Sequence, residues 1–334
     1  MLGFLKRVLG GGRNDVYGLD HAVLNVQLPL QTMWMNMGYW ESTSEFPQAC
    51  QALLDQVLAA GLLKDKSPSI RVLDVGCGCG DQSLHLLSLR KGSSNKPQSE
   101  LTTAVRQRSG QESRRDDSPL IDTYIGITLE PAQAELAQCR VRDARHDFEK
   151  PLTRTSAEVF RADASNPSTW SAELRDSVSN VAASSKDDDT STWVLALDTM
   201  YHFRPSRLPL LQYAHDTLHA SFMAFDLVLS EGASWQERLV LRLVCWLTGS
   251  PFSNFITEVD YLCMLENAGY DISEISIRDV SRQVFPGISG WLSRRVKEAQ
   301  PFGMKMGKFR AAGIVFGWWA RSEVVRGVVV VARR

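Results

Sequence analysis

The sequence has no excess of charge of either sign: 37 lysines and arginines stand against 38 aspartates and glutamates, a formal net charge of -1. This balance gives no overall attraction to nucleic-acid phosphates, so we expect no nucleic-acid partner. The six cysteines show no C-x-x-C spacing, and His215 and His219 have no third ligand nearby in the sequence. We therefore expect no bound metal and interpret the cysteines as reduced thiols of a cytoplasmic protein.

The chain also begins without a long apolar run. Its first twelve residues, MLGFLKRVLGGG, are interrupted by Lys6 and Arg7. This stretch is too short for a signal-peptide core or a membrane span, although it is compatible with contact at a membrane surface. The 334 residues are 44% hydrophobic and 22% charged, which predicts a globular protein with a sizeable core.

Strand-like and helix-like segments alternate through the middle of the chain. The strand-like segments are IRVLDV, TYIGIT, AEVFRAD, TWVLALD and SFMAFDLVL, and helix-like segments occupy 81–90, 131–146 and 205–219. This alternation predicts parallel strands joined by crossover helices. Beyond residue 230, the amphipathic segment WQERLVLRLVCWL precedes the strand candidates DISEISIRDV and RGVVVVARR, and we interpret this region as a lid plus the sheet edge.

Two polar, serine-rich stretches interrupt the alternation, at 91–119 and 177–191. Their composition offers too little apolar surface to offset the entropy of ordering the chain. Because each separates a helix-like segment from a strand-like one, we interpret them as surface insertions in one domain. The expected organisation is an N-terminal arm and cap at 1–48, a core at 49–230, and lid helices with the last strands at 231–334.

The segment VLDVGCGCGD carries the most specific pattern in the chain. An apolar strand ends near Asp74, and Gly76, Gly78 and Gly80 precede a helix that begins near Asp81. Glycines permit a sharp turn close to a ligand, and the first amides of the helix can receive a carboxylate. Asp74 can accept hydrogen bonds from an ammonium group, directly or through water. A G-x-G-x-x-G dinucleotide site needs glycine at position 81, so the pattern disfavours NAD; a purely structural turn is the alternative.

This segment resembles motif I, D-x-G-x-G-x-G, of the class I S-adenosylmethionine-dependent methyltransferases. The resemblance extends to YIGITLEPAQAELA, FRADAS and NMGYW, which are similar to segments of the tocopherol, sterol and cyclopropane-fatty-acid methyltransferase group. It covers most of the chain from about Asn36 to Leu229, and ITEVDYLCMLENAGYDISEISIRDVS is similar to the lid-to-strand region. The resemblance implies a Rossmann-like α/β fold with a seven-stranded, mostly parallel sheet, helices on both faces, a helical lid, and S-adenosylmethionine as cofactor.

The resemblance also implies contacts to the rest of that cofactor. Asp163, with Ala164 beside it, would meet the adenine amino group, and a solvated loop aspartate is the alternative. Many methyltransferases hold the ribose with an acidic residue at the end of the second strand, whereas this chain has Thr128 there. Thr128 and Gln133 would then share that role, with Glu130 as the alternative.

The fourth strand ends as VLALDTMYHF, which puts Asp198, Tyr201 and His202 at the carboxyl edge of the sheet, where open α/β folds bind ligands. We predict that these three residues form the catalytic cluster. Their placement resembles the post-strand histidine segments of the cyclopropane-synthase and phosphoethanolamine methyltransferase groups. His202 would act as a base or orienter and Tyr201 would line the methyl site, while a structural role for His202 is the alternative.

Aromatic residues give the clues to the substrate. Tyr39 and Trp40 would cover the sulfonium, since a cation over an aromatic face gains about 0.5–2 kcal/mol. The alternative is that these two residues anchor the N-terminal arm. The segments 235–247 and KMGKFRAAGIVFGWWARS are rich in apolar, tryptophan and basic residues. Such a lid suits a small hydrophobic acceptor, such as a lipid or terpenoid, and favours peripheral membrane contact, with plain lid packing as the alternative.

These observations predict a methyltransferase of specialised metabolism that acts on a small hydrophobic molecule. Two other classes stay open. One is a methyltransferase-fold protein without methyl transfer, as a pericyclic or isomerising enzyme or a scaffold; the other is an NAD-dependent oxidoreductase, which the glycine spacing and Thr128 oppose. No sequence feature predicts the oligomeric state or whether carbon, oxygen or nitrogen accepts the methyl group.

Overall fold

The computed structural model describes residues 30–62, 65, 67, 69–91, 118–146, 155–183 and 190–334. The strands are β1 (Ser69–Val75), β2 (Ile121–Thr128), β3 (Ser156–Arg161), β4 (Thr190–Leu197), β5 (Ser221–Leu229), β6 (Ile275–Asp279) and β7 (Val325–Ala332). They form one sheet in the order β3-β2-β1-β4-β5-β7-β6. Strands β1 to β5 run parallel, and β7 is antiparallel to both β5 and β6. The expected seven-stranded, mostly parallel sheet is therefore confirmed.

Helices cover both faces of this sheet. They are α1 (Phe46–Leu62), α2 (Asp81–Ser88), α3 (Pro131–His146), α4 (Ala172–Ala183), α5 (Leu208–Gln212), α6 (Trp235–Thr248), α7 (Glu258–Asn267), α8 (Ser281–Ala299) and α9 (Gly307–Ser322). Successive residues of β1 belong to opposite cores: Val72 lies in the cluster that contains Leu54 of α1, and Leu73 in the cluster that contains Leu174 of α4. Because both faces of these strands are buried, their sequences are continuous apolar runs.

The predicted helix at 205–219 is shorter and less regular than expected. It begins at Leu208, with Pro209 in its first turn, and continues from Gln212 into a π-helical turn, Tyr213–Thr217. Proline is tolerated at a helix start because the amide that it lacks has no partner there. The predicted helix at 81–90 likewise ends at Ser88.

The insertion predicted at 177–191 is narrower than the sequence indicated. Residues 177–183 belong to α4, whose Leu174 and Val178 are buried one turn apart, and β4 already begins at Thr190. Residues 184–189 lie outside the described residues. For the other insertion, residues 92–117 also lie outside them, while Arg90 and Pro119 pair as an antiparallel bridge at its base.

The region after β5 supplies four helices and two strands. Capping boxes begin α6, with Ser234 and Glu237, and α7, with Thr257 and Asp260. Helices α8 and α9 pack closely, and a Cβ on Gly317 would lie 2.8 Å from a side-chain oxygen of α8. No described helix is long and apolar enough to cross a membrane.

Candidate active site

A cavity of about 340 Å³ opens at the carboxyl edge of the sheet. It lies where the strand order reverses between β1 and β4, which is the position at which open α/β sheets bind ligands. Its walls come from residues 33–36, from 76–79, 81 and 82, from 128–130 and 133, and from 197–199, 201 and 202.

The three glycines after β1 have different surroundings, although all have positive φ angles of 86°, 59° and 90°. A Cβ on Gly78 would meet nothing within 4 Å, and Gly78 lines the cavity. A Cβ on Gly80 would lie 3.1 Å from the Cα of Ala137, so Gly80 allows α2 and α3 to approach. Gly76 lines the cavity against Thr199. Helix α2 begins at this wall without a side-chain cap, which leaves its first amides suited to an anion.

Asp74 is fully buried and does not line the cavity. Its Oδ1 accepts a hydrogen bond from Nε2 of Gln82 at 2.5 Å, and its Oδ2 accepts one from the hydroxyl of Tyr124 at 2.7 Å. Burial raises the pKa of this carboxyl to about 7, although both hydrogen bonds oppose the rise. Asp74 therefore braces β1, β2 and α2 beneath the glycine loop, and its contact with a ligand stays a prediction.

The end of β2 brings the expected ribose-binding residues together. Thr128, Gln133 and Glu130 all line the cavity. Oγ1 of Thr128 donates to Oε1 of Gln133 at 3.1 Å, and Nε2 of Gln133 lies 3.4 Å from the sulfur of Met35 in the N-terminal arm. These polar groups face one wall, but their role toward a ribose stays a prediction.

Asp163 and Ala164 follow β3 and do not line the cavity. Oδ1 of the exposed Asp163 accepts hydrogen bonds from the amide and hydroxyl of Ser165, at 2.9 and 2.7 Å. Its carbonyl accepts from Nε1 of Trp170 at 2.8 Å. The local turn thus holds this aspartate in place, and its adenine contact stays a prediction.

Asp198 is the most unusual residue in the wall. It adopts a left-handed backbone with φ 59°, and its Oδ2 accepts from the amide of Met37 at 2.8 Å. Its buried Oδ1 has no hydrogen-bond partner of good geometry among the described residues, although the Tyr201 hydroxyl lies close enough to this carboxyl to lower its pKa. Burial is the larger effect and raises the pKa of this carboxyl to about 8. Because Asp198 lines the cavity, its carboxyl is an acceptor for a cation or a donor group there.

Tyr201 and His202 complete the cluster predicted after β4, and all three residues line the cavity. Burial and the charge of Asp198 raise the pKa of the Tyr201 phenol well above its usual value. The two rings have centroids 4.2 Å apart. Nδ1 of His202 lies 3.2 Å from Oγ of Ser250, and desolvation lowers the pKa of the imidazole. The structure thus brings the predicted catalytic residues together around a neutral imidazole at neutral pH.

A buried ionic network that the sequence did not predict supports this turn. Arg207 and Asp226 are both fully buried, with Nε and Oδ2 2.6 Å apart. Nη1 of Arg207 donates to the carbonyl of Asn254 at 2.6 Å. Nδ2 of Asn254 in turn donates to the carbonyls of Tyr201 and Phe203, at 3.2 and 2.6 Å. These bonds hold both ends of the turn that carries the predicted catalytic cluster.

Tyr39 and Trp40 do not line the cavity. The hydroxyl of Tyr39 donates to Glu41 at 2.8 Å. Trp40 packs with Phe46 of α1 and Trp291 of α8, at ring-centroid distances of 6.3 Å each. The two aromatics occupy the positions expected of anchors for the N-terminal arm, and a sulfonium contact finds no support in their placement. The arm contributes residues 33–36 instead, and only Asn36 of these belongs to the NMGYW segment that carries the resemblance.

No protein-family model matches the chain, and no curated protein matches its sequence. Solved structures do match. The [4+2]-cyclase SpnF has a TM-score of 0.54 at 19% identity, over 96% of this chain and 94% of that one. Mycolic acid cyclopropane synthase CmaA1 complexed with SAH and CTAB has a TM-score of 0.58 at 13% identity, over 92% and 91%. Geranyl diphosphate C-methyltransferase from Streptomyces coelicolor A3(2), in complex with Mg²⁺, geranyl diphosphate and S-adenosyl-L-homocysteine, has a TM-score of 0.50 at 15% identity, over 87% and 81%.

Identities this low establish architecture and not activity. The strand order agrees with that architecture, since five parallel strands are followed by an antiparallel β7 inserted between β5 and β6. The chain has the Rossmann-like fold of the class I S-adenosylmethionine-dependent methyltransferases.

Proposed function

We propose that the protein is an S-adenosylmethionine-dependent methyltransferase that acts on a small hydrophobic acceptor. The observation that carries the proposal is the cavity at the strand-order reversal, where Gly78, the uncapped start of α2 and the unpartnered Oδ1 of Asp198 meet. No other group of features in the described residues combines a glycine turn, an anion site and a free acidic acceptor.

The charged and polar groups around the cavity match those of this cofactor. The first amides of α2 suit the methionine carboxylate, because a helix N-terminus favours an anion. Oδ1 of Asp198 suits the cationic part, and the hydroxyl and amide of Thr128 and Gln133 suit the ribose hydroxyls. Two of the structural neighbours were crystallised with the demethylated cofactor, which supports the same assignment here.

When bound, S-adenosylmethionine supplies an electrophilic methyl group. The chain has to align the acceptor and exclude water, and alignment of this kind lowers a barrier by up to about 7–11 kcal/mol. Tyr201 stays neutral because its pKa is raised, so it presents an aromatic wall. Where the accepting atom carries a proton, the neutral imidazole of His202 is placed to take it, since His202 lies at the rim with a lowered pKa.

Exposed apolar side chains of α6 favour a hydrophobic acceptor. Trp235, Leu243, Trp246 and Leu247 are 72%, 55%, 77% and 68% exposed. Ser250, just beyond this helix, contacts His202 at the cavity rim. The same face favours peripheral contact with a membrane. Sedimentation with anionic lipid vesicles, compared between the natural chain and a Trp246→Ser variant, tests that contact; equal sedimentation of both chains argues against it.

A second function fits the same cavity: cyclisation or rearrangement of a bound substrate without methyl transfer. The structural likeness to the cyclase SpnF favours it. The two functions differ in their products, because methyl transfer adds one methyl group to the acceptor and rearrangement leaves its mass unchanged.

Calorimetry tests the cofactor first. Purified protein is titrated with S-adenosylmethionine, S-adenosylhomocysteine and NAD, alongside Asp198→Asn and the matched control Asp143→Asn, whose carboxyl is exposed on α3. We expect binding of both adenosyl ligands, weakened in Asp198→Asn, unchanged in the control, and absent for NAD. Incubation with labelled methyl donor and a panel of terpenoids and lipids then tests transfer. A folded chain that binds neither adenosyl ligand would overturn the proposal.

A further inference from the structure

One wall of the cavity is a segment of the N-terminal arm, residues 31–38, which we name the strap. Its second half is anchored by burial: Asn36 and Met37 are 8% and 6% exposed, and Nδ2 of Asn36 donates to the carbonyl of Cys50 at 3.1 Å. Its first half is less buried: Met35 is 63% exposed, while Trp34 is partly buried and packs against the core. Packing therefore holds the first half of the strap less firmly than the second.

The first half of the strap is also held by an ion pair. Both carboxylate oxygens of Asp81 accept from the amide of Met33, at 3.1 and 3.0 Å. The same oxygens accept from Nη1 and Nη2 of Arg140, at 2.7 and 3.0 Å. Arg140 also donates to the carbonyl of Cys79 in the glycine loop at 2.8 Å and to that of Gln31 in the strap at 3.0 Å. One guanidinium thus joins the strap, the glycine loop and α2.

We propose that Asp81 and Arg140 are positioning residues that latch the strap over the cavity and set the rate at which the adenosyl cofactor enters and leaves. Every hydrogen bond that the described residues make to 31–35 ends on Asp81, Arg140 or Gln133. The Asp81 and Arg140 side chains are 6% and 17% exposed, so solvent screens their pairing little. Asp81 also sits in the first turn of α2, where the helix dipole stabilises its charge.

The latch acts on the cofactor because the strap forms part of its site. Residues 33–36 line the cavity together with the glycine loop, and Met35 contacts Gln133 of the predicted ribose wall. A ligand in the cavity can leave on this side only when 31–35 lift away. Without the latch, we expect faster release and a smaller change in association. This inference rests on the proposed function for the identity of the ligand, but the latch can also be measured without one.

Stopped-flow binding of S-adenosylhomocysteine tests the proposal, with Trp34 of the cavity wall contributing to the fluorescence signal. Arg140→Met removes the guanidinium, and Arg140→Lys keeps the positive charge without the paired N–H donors of the guanidinium. Arg142→Met is the matched control, because the Arg142 side chain also lies on α3 and is 65% exposed. We expect a dissociation rate about tenfold or more higher in Arg140→Met, the effect of losing one charge-assisted hydrogen bond. The dissociation rate of Arg140→Lys should lie between those of the natural chain and Arg140→Met, and the rate of Arg142→Met should match that of the natural chain.

Hydrogen exchange of the ligand-free proteins gives the second measurement. Arg140→Met should speed exchange of the Met33 amide more than exchange of the β1 and β4 amides, after allowance for any fall in the urea unfolding midpoint that the unpaired Asp81 causes. Equal dissociation rates and equal Met33 exchange in Arg140→Met and the natural chain would overturn the latch. If the natural chain binds no adenosyl ligand, the proposed function fails, and the exchange result alone decides whether the latch holds the strap.

Discussion

Replacing Asp198 by asparagine should remove most of the pH dependence of S-adenosylmethionine binding. In the free protein, burial holds the pKa of this carboxyl at about 8, so the group is protonated at pH 6 and half ionised near pH 8. A cationic ligand beside the unpartnered Oδ1 stabilises the ionised form and draws the pKa down. Binding then releases a proton, and affinity rises as the pH rises toward 8.

The size of the effect follows from the pKa. If the carboxyl is ionised in the complex, the dissociation constant at pH 6 exceeds that at pH 8 by about fiftyfold, and the dissociation constant at pH 7 exceeds that at pH 8 by about fivefold. These are upper values, reached when the ligand-bound pKa falls below 6. Asparagine has nearly the same shape and no charge. The variant should therefore show little pH dependence, and its loss of affinity relative to the natural chain should be larger at pH 8 than at pH 6.

Calorimetry at pH 6, 7 and 8 in buffers of different ionisation enthalpy measures both the affinity and the proton released. His202 and the other cavity groups are shared by the two chains, so the difference between them isolates Asp198. S-adenosylhomocysteine lacks the sulfonium charge and should show the smaller dependence if Asp198 faces the sulfur. A natural chain whose affinity does not change over this range, or changes in parallel with the variant, would refute the reasoning.

Three further predictions concern stability and the glycine loop. Arg207→Met leaves Asp226 buried without its partner and should cost about 3–5 kcal/mol in urea unfolding; an unchanged midpoint would contradict this. Burial holds the folded pKa of Asp74 at about 7, above an unfolded value of about 3.9, so the natural chain loses stability as pH rises from about 4 to 7. Asp74→Asn lacks that loss. Its free energy of unfolding, measured by urea titration and compared with that of the natural chain, should be more favourable at pH 8 than at pH 5; the opposite order would refute this prediction. Both glycines have a left-handed backbone that strains alanine, but Gly80→Ala also crowds the packing of α2 on α3 and should destabilise by about 1–3 kcal/mol. Gly78→Ala meets open space, so it should destabilise less and should weaken calorimetric cofactor affinity; equal effects on stability would count against this distinction.

The strands were predictable because a parallel sheet covered on both faces leaves a strong local signal. Every residue of β5 except Ser221 is buried, and its bounds match the apolar run SFMAFDLVL. Helix α4 was missed for the opposite reason. Half of its twelve residues are polar and only Leu174 and Val178 give a clear apolar spacing, so its sequence is close to that of a surface loop.

The glycine loop and the end of β4 could be assigned to the site because strand-to-helix turns are local. The N-terminal arm could be predicted only as a general cap at 1–48. The contacts of the strap could not be predicted, because Asp81 meets Met33 across 48 residues and neither residue signals the other in the sequence. The positions of Tyr39 and Trp40 also depend on residues that are distant in the sequence. Their composition suited a sulfonium contact, but the amide of Trp40 donates to the carbonyl of Gln283, which turns this part of the arm toward α8 and away from the cavity.

Asp198 connects the local and the long-range parts of the site. A non-glycine residue in the left-handed region costs about 1–3 kcal/mol, and such strain persists only where surrounding structure maintains it. Here the strap supplies one support, through the amide of Met37, and β5 supplies another, because the amide of Asp198 donates to the carbonyl of Phe225. The carboxyl is thereby held in the cavity wall with Oδ2 bonded to the strap. The strap that closes one side of the site and the residue that supplies its charge are thus coupled through one hydrogen bond, so a change in the strap should also alter how Asp198 meets its ligand.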